Sequence, residues 1–262
     1  TSPNSGYEIA INSDNNRITI RSSEAELGES VGINLQVQPW TPLAIATDLW
    51  LDTGDTSAMV TTEGAKIEEW ADKSGNSRHA TQLSTAEQPN TLANGVYFDG
   101  IDDFLDVDLD FLAGTTHKTY VVATVWDNYS NFYGASDGGS GSNSLHVGFN
   151  DNSEYRINYW ESDFYPNITA NFVESERNVL GYFWNPGVGK EVFANGHSEG
   201  SNTSAGNIGT MAGGGRIVGP VGQDYMETTI NEMVFITGSN ITTDNDERIT
   251  GYLAHKWGQE SK

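Results

Sequence analysis

Residues 243–258 constrain this chain most, because they form the one clearly helical segment in a sequence otherwise made of strand-like runs and turn residues. Thr243 offers an N-cap hydroxyl, and Asp244, Asp246 and Glu247 place negative charge at the positive end of a helix dipole. Gly258 supplies the stop. Ile249, Tyr252, Leu253 and Trp257 recur at helical spacing and share one face. A helix this short must bury that stripe against something larger, and the rest of the chain offers only β-structure. The expectation is an all-β body carrying one short C-terminal helix.

Eight runs read as its strands: 96–98, 119–126, 144–149, 155–160, 178–184, 190–194, 216–218 and 230–236. Two Gly/Ser/Asn-rich stretches, 136–143 and 198–215, read as long loops. Residues 1–39 differ from the rest. Runs 7–11 and 17–21, joined by Asn12-Ser13-Asp14-Asn15-Asn16, predict a hairpin, and 31–37 alternates like a half-buried strand. The chain therefore divides into an N-terminal β arm or docking extension over 1–39 and a sandwich over 40–262.

Charge narrows the partners. The chain has 13 Lys and Arg against 36 Asp and Glu, a formal net charge of -23. Such a surface repels phosphate backbones and anionic bilayers, which argues against nucleic acid and lipid partners. Excess carboxylate does suit oxygen ligation of a hard cation such as Ca²⁺. Cysteine is absent, so disulfides, thiolate metal sites and thiol nucleophiles are excluded. No run is apolar enough to span a membrane, and the start, Thr1-Ser2-Pro3-Asn4, has no signal-peptide character.

Four blocks then appear in a recognisable order. They are Leu49-Trp50-Leu51-Asp52; Trp70-Ala71-Asp72-Lys73-Ser74-Gly75-Asn76 with Arg78-His79-Ala80; Phe98-Asp99-Gly100-Ile101-Asp102-Asp103; and Ile230-Asn231-Glu232-Met233-Val234-Phe235-Ile236 with Gly251-Tyr252-Leu253-Ala254-His255-Lys256-Trp257-Gly258. Together they resemble the laminin-G-like branch of the concanavalin A-like lectin/glucanase superfamily over about residues 40–258. The resemblance implies a two-sheet antiparallel jelly-roll sandwich. It also implies a non-catalytic surface-binding module that recognises a glycan or cell-surface polysaccharide. Its carrier would be a phage virion, as a fibre, tail or capsid decoration, or a secreted adhesin. Location on a virion surface or outside the cell goes with that reading, and residues 1–39 are then available to dock on other subunits. The alternatives are a structural virion protein anchored by its arm, and a glucanase-type glycoside hydrolase.

Six carboxylates crowd residues 99–110, and a divalent ion relieves such repulsion. Asp99, Asp102 and Asp103 are the candidate Ca²⁺ ligands, with Asn231 or Glu232 as the distant ligand that the resemblance implies. The competing reading makes Asp102 and Asp103 turn-formers and leaves Asp106 and Asp108 facing water. Asp72-Lys73-Ser74-Gly75-Asn76 reads as a tight turn, with His79 packed or hydrogen-bonded beside it. Aromatic residues gather between Trp126 and Trp184. Since sugars stack C–H faces on rings and need polar partners for their hydroxyls, Tyr133, Asp137, Asn143, Trp160 and Tyr165 are the candidate ligand residues. The competing reading is ordinary core, because alternate residues of a strand point inward. For catalysis, Glu227-Thr228-Thr229-Ile230-Asn231-Glu232 has the outer spacing of a glucanase Glu-x-Asp-x-x-Glu motif, but Thr229 stands where the middle Asp belongs. The other match, Glu24 to Glu29, lacks strand character.

Overall fold

The structure is a computed structural model, and it describes residues 7–12, 17–22, 40–93, 95–126, 130–135, 145–150, 154–158, 162–204, 214–219 and 225–260. The chain divides into two units, Thr1–Pro39 and Trp40–Lys262. In the first, β1 (Tyr7–Asn12) and β2 (Arg17–Ser22) form an antiparallel hairpin in the expected place. The expected strand over 31–37 lies outside the described residues.

The second unit is the expected sandwich of two antiparallel sheets. The first sheet comprises β3 (Leu49–Asp52), β7 (Asn90–Leu92), β8 (Gly95–Asp99), β10 (His117–Val125), β14 (Arg177–Asn185), β15 (Gly189–Ala194), β16 (His197–Asn202) and β18 (Glu227–Thr237). Its order is β16-β15-β14-β10-β18-β8-β7, with β3 also paired to β18. The second comprises β4 (Met59–Thr61), β5 (Ile67–Trp70), β6 (Ala80–Thr81), β9 (Leu105–Val107), β11 (Asn131–Ala135), β12 (Leu145–Asn150), β13 (Glu154–Asn158) and β17 (Gly215–Ile217). Its order is β13-β12-β11-β17-β9-β6-β5-β4. All eight expected runs overlap strands, although residues 144, 159 and 160 of two of them lie outside the described residues. The loop expected over 198–215 begins instead as β16, which its Ser- and Gly-rich composition hid.

Between the sheets, Leu51, Val121, Leu180, Trp184, Met233 and Phe235 of the first face Trp70, Leu105, Tyr133, Val147, Phe149 and Ile217 of the second. Each buried side chain of this size stabilises by about 1.5–3 kcal/mol. The first sheet is apolar on its outer face too. There Trp50, Tyr120, Val122, Val179, Val234 and Ile236 meet Ile249 and Leu253 of the closing helix, α1 (Thr243–Trp257). Burial on both faces is why Met233-Val234-Phe235-Ile236 reads as an unbroken apolar run.

Helix α1 starts where its chemistry demands, one residue before the expected cap. Thr242, not Thr243, accepts the hydrogen bond from the Asn245 N–H at 3.2 Å. Asp244 and Asp246 occupy the first turn, and Gly258 adopts φ 68° to end the helix. Among the described residues no helix is long and apolar enough to cross a membrane.

Candidate functional site

Three of the four sequence blocks, those at 49–52, 70–80 and 230–236 with 251–258, converge under the C-terminus of α1. Lys256 Nζ lies 2.5 Å from Asp52 Oδ1 and 2.8 Å from Glu232 Oε2, two carboxylates directly opposite each other on β3 and β18. Trp50 Nε1 and Trp257 Nε1 donate to Glu232 at 2.6 and 2.7 Å, and Lys73 pairs with Asp52 at 2.8 Å. Asp72 accepts from the N–H groups of Trp50, Ser74 and Arg78, while His79 Nδ1 accepts from the Asp72 N–H. The 72–76 segment is thus the hydrogen-bonded turn the sequence suggested. Burial pushes Asp52 up, but the hydrogen bonds and charges of Lys256 and Lys73 outweigh it and hold the carboxyl below its usual range. Burial, then the charge of Asp52, raises Glu232 against the opposing pull of Lys256 and Trp257. Glu232 is fully buried and Asp52 is 3% exposed, so this cluster ties helix to sheet and presents nothing to a ligand.

The acidic loop forms at the N-terminal end of β18, where Asp99 pairs with Glu227. Asp99 Oδ1 accepts from the N–H groups of Ile101 and Asp102 at 2.8 and 3.3 Å, and Asp103 Oδ2 accepts from the Asp99 N–H at 3.1 Å. Gly100, at φ 75°, permits the turn, and a Cβ there would press on the Glu227 N–H at 3.0 Å. The loop brings one carboxylate oxygen each from Asp99, Asp102 and Asp103 within 4.8 Å of one another. Burial first, then the charge of Asp99, pushes Asp103 up to about 6. Asp99 Oδ2, Asp103 Oδ1 and the Asp102 carboxylate are left by the loop's own hydrogen bonds, a hard-oxygen set that suits Ca²⁺.

Asn231 does not join that set. Strand register pairs Asp99 with Glu227. Asn231 lies four residues further along, roughly 13 Å away at strand rise. Its Oδ1 instead accepts from Arg177 Nε at 3.1 Å. Glu232 is further still and belongs to the lysine cluster. Glu227 is the carboxylate the register does bring near, and nothing in its spacing could announce this without the pairing.

Around Glu227 the outer face of the first sheet carries two aromatic rings. Tyr97 donates its hydroxyl to Glu227 Oε1 at 3.0 Å, and its ring meets Trp126 edge-on at 5.9 Å between centroids. Trp126 is 39% exposed and Ile101, at the acidic loop's tip, 73%. Trp126 stood among the sequence's aromatic cluster; Tyr97 did not, because it lies upstream of that stretch and only the pairing of β8 and β10 with β18 brings the two rings together.

The other ligand candidates fare differently. Tyr133 is fully buried between the sheets, its hydroxyl donating to Thr119 Oγ1 at 2.9 Å and its ring 5.0 Å from that of Phe235. It is core and reaches no surface, so the structure overturns its place in a ligand face. Tyr165 is half-buried, accepting from Asn158 Nδ2 at 3.0 Å and donating to Asp163. Asp137, Asn143 and Trp160 lie outside the described residues. Asp106, Asp108 and Asp110 line a shallow depression of about 540 Å³ on the second sheet, where Arg216 pairs with Asp106 at 2.9 Å and Arg78 approaches Asp108 at 3.9 Å. These surface pairs offset part of the charge of the acidic run.

Glu227 and Glu232 make a poor hydrolytic pair. Five residues apart on one strand, they are separated by roughly 15 Å, beyond the roughly 5–9.5 Å used by paired glycosidase carboxylates, and Glu232 is sealed. Glu24 to Glu29 lies outside the described residues.

No family model and no curated protein sequence matches the chain significantly. Its fold is shared with several solved structures. A Trypanosoma rangeli sialidase aligns at TM-score 0.54 and 14% identity over 80% of this chain, which spans 33% of the sialidase. Domain 4 of AbnA, a GH43 extracellular arabinanase from Geobacillus stearothermophilus solved in complex with arabinotriose, aligns at TM-score 0.53 and 13% identity, over 79% of this chain and 98% of that one. The ligand binding domain of Botulinum neurotoxin serotype D, in complex with N-acetylneuraminic acid, aligns at TM-score 0.55 and 10% identity, over 81% of this chain and 53% of that one. At these identities the likeness establishes the β-sandwich fold.

Proposed function

We propose that this chain is a non-catalytic glycan-binding module that attaches its carrier, a virion or an adhesin, to a cell-surface polysaccharide. The observation that carries this is the corner formed by exposed Trp126, Tyr97 and Glu227 beside the acidic loop. An exposed indole offers a face for sugar C–H groups, and the adjacent carboxylates accept sugar hydroxyls. The likeness to domains solved with arabinotriose and N-acetylneuraminic acid supports a sugar as the ligand. The motif order supports the laminin-G-like branch. Asp99, Asp102 and Asp103 would hold Ca²⁺, which would fix the loop and offset its charge beside the sugar. The wide separation and sealing of Glu227 and Glu232 support a binding role over hydrolysis.

A glycan array with and without EDTA tests this reading. Wild-type protein should bind one class of glycan, and Trp126→Ala should abolish that binding at an unchanged melting temperature. A silent array, or binding indifferent to Trp126→Ala, overturns the assignment.

A further inference from the structure

A cavity of about 310 Å³ lies between the first half of α1 and the outer face of β10, β14 and β15, far along the sheet from the Trp126 corner. Its polar centre is Lys118, a β10 residue only 5% exposed, whose Nζ sits 2.7 Å from Asp246 Oδ1 and 3.9 Å from the Phe193 ring centroid. Tyr120 donates its hydroxyl to the same Asp246 oxygen at 2.7 Å. Val179 and Phe193 make apolar walls, and Glu247 and Thr250 stand on the helix side.

The helix carries a glycine at this place. Glycine is unfavourable in a helix interior, so a mid-helix Gly251 calls for a reason. Close packing is not the reason, since a Cβ on Gly251 would meet nothing within 4 Å. Gly251 is an exposed residue of the cavity lining, and a side chain there would occupy open space at the rim. Gly181, by contrast, is explained by packing, because a Cβ there would meet the Phe193 Cβ at 3.3 Å.

The lining selects a chemistry. Lys118 and Asp246 neutralise each other, so the site offers an ammonium donor and a carboxylate acceptor side by side. That matches two adjacent hydroxyls, each of which both donates and accepts. Glu247 disfavours an anion, the Val179 and Phe193 walls suit a C–H face, and the volume is at the small end of ligand pockets. We infer that this cavity is a second sugar subsite, which takes one neutral pyranose or furanose ring through a vicinal diol held by Lys118 and Asp246 and has Gly251 at its rim. The inference rests on the glycan reading for its ligand class, yet uses none of the Trp126 residues.

The test is ¹H–¹⁵N NMR titration of the full chain with D-galactose, D-mannose and L-arabinose, beside the glycan array. At least one sugar should shift the amides of Lys118, Phe193 and Thr250 in wild type. Gly251→Leu should weaken that affinity at least tenfold and Gly251→Ala less, both with the melting temperature kept or raised, and with array binding unchanged. Trp126→Ala should silence the array and leave the Lys118 shifts intact. Shifts that persist undiminished in Gly251→Leu, or no shift with any of the three sugars, overturn the subsite. A silent wild-type array with Lys118 shifts present would sink the Trp126 site alone, so the two failures are distinguishable.

Discussion

Removing Lys256 should expose how much the closing helix depends on one ammonium. In Lys256→Met, Asp52 keeps Lys73 and Glu232 keeps two indole N–H donors, but the charge between the facing carboxylates is gone. Breaking a buried ion pair by removing one partner costs about 3–5 kcal/mol. The surviving partners place this case near the lower end, about 3 kcal/mol, or a melting temperature roughly 6–12 °C lower for a domain of this size. The sign with pH follows from the two carboxyls. Glu232 already titrates above its ordinary 4.5, so its contribution is greatest below that value and fades as pH rises through the folded-state value. Asp52 titrates below its ordinary 3.8, so its contribution is lost only in stronger acid. Losing Lys256 raises Glu232 further, and the deficit of Lys256→Met relative to wild type should shrink between about pH 7 and about pH 5. Adding Glu232→Gln should recover most of it at neutral pH. Urea unfolding followed by circular dichroism at both pH values measures all four proteins. An equal deficit at both, or a Glu232→Gln penalty that simply adds, would refute the picture of a lysine-bridged carboxylate pair.

Trp257→Ala removes both an indole packed on the helix–sheet cluster and a donor to Glu232, and should cost about 3–5 kcal/mol in the same unfolding assay. Full stability with lost glycan binding would make the helix end a recognition element. Millimolar Ca²⁺ should raise the melting temperature over EDTA, since the unfolded chain lacks the formed loop of Asp99, Asp102 and Asp103; identical melts would remove calcium from the account.

What the sequence alone determined was everything written in local periodicity. The strands that carry Val121, Leu180 and Phe235, the amphipathic closing helix and its Gly258 stop, and the Asp72 turn all follow from spacing and residue type within a few positions. The acidic loop was legible for the same reason, because Asp99, Asp102 and Asp103 are neighbours in the chain and one glycine turn brings them together. Tertiary structure decided whatever depends on pairing between distant segments. Register placed Glu227, not Asn231, beside Asp99, and set Glu232 against Asp52 under Lys256. Packing of one sheet on the other turned Tyr133 inward, and the outward face left Trp126 exposed beside Tyr97. A strand's alternation says that neighbouring side chains face opposite ways; only its pairing and the layer covering it decide which way is in.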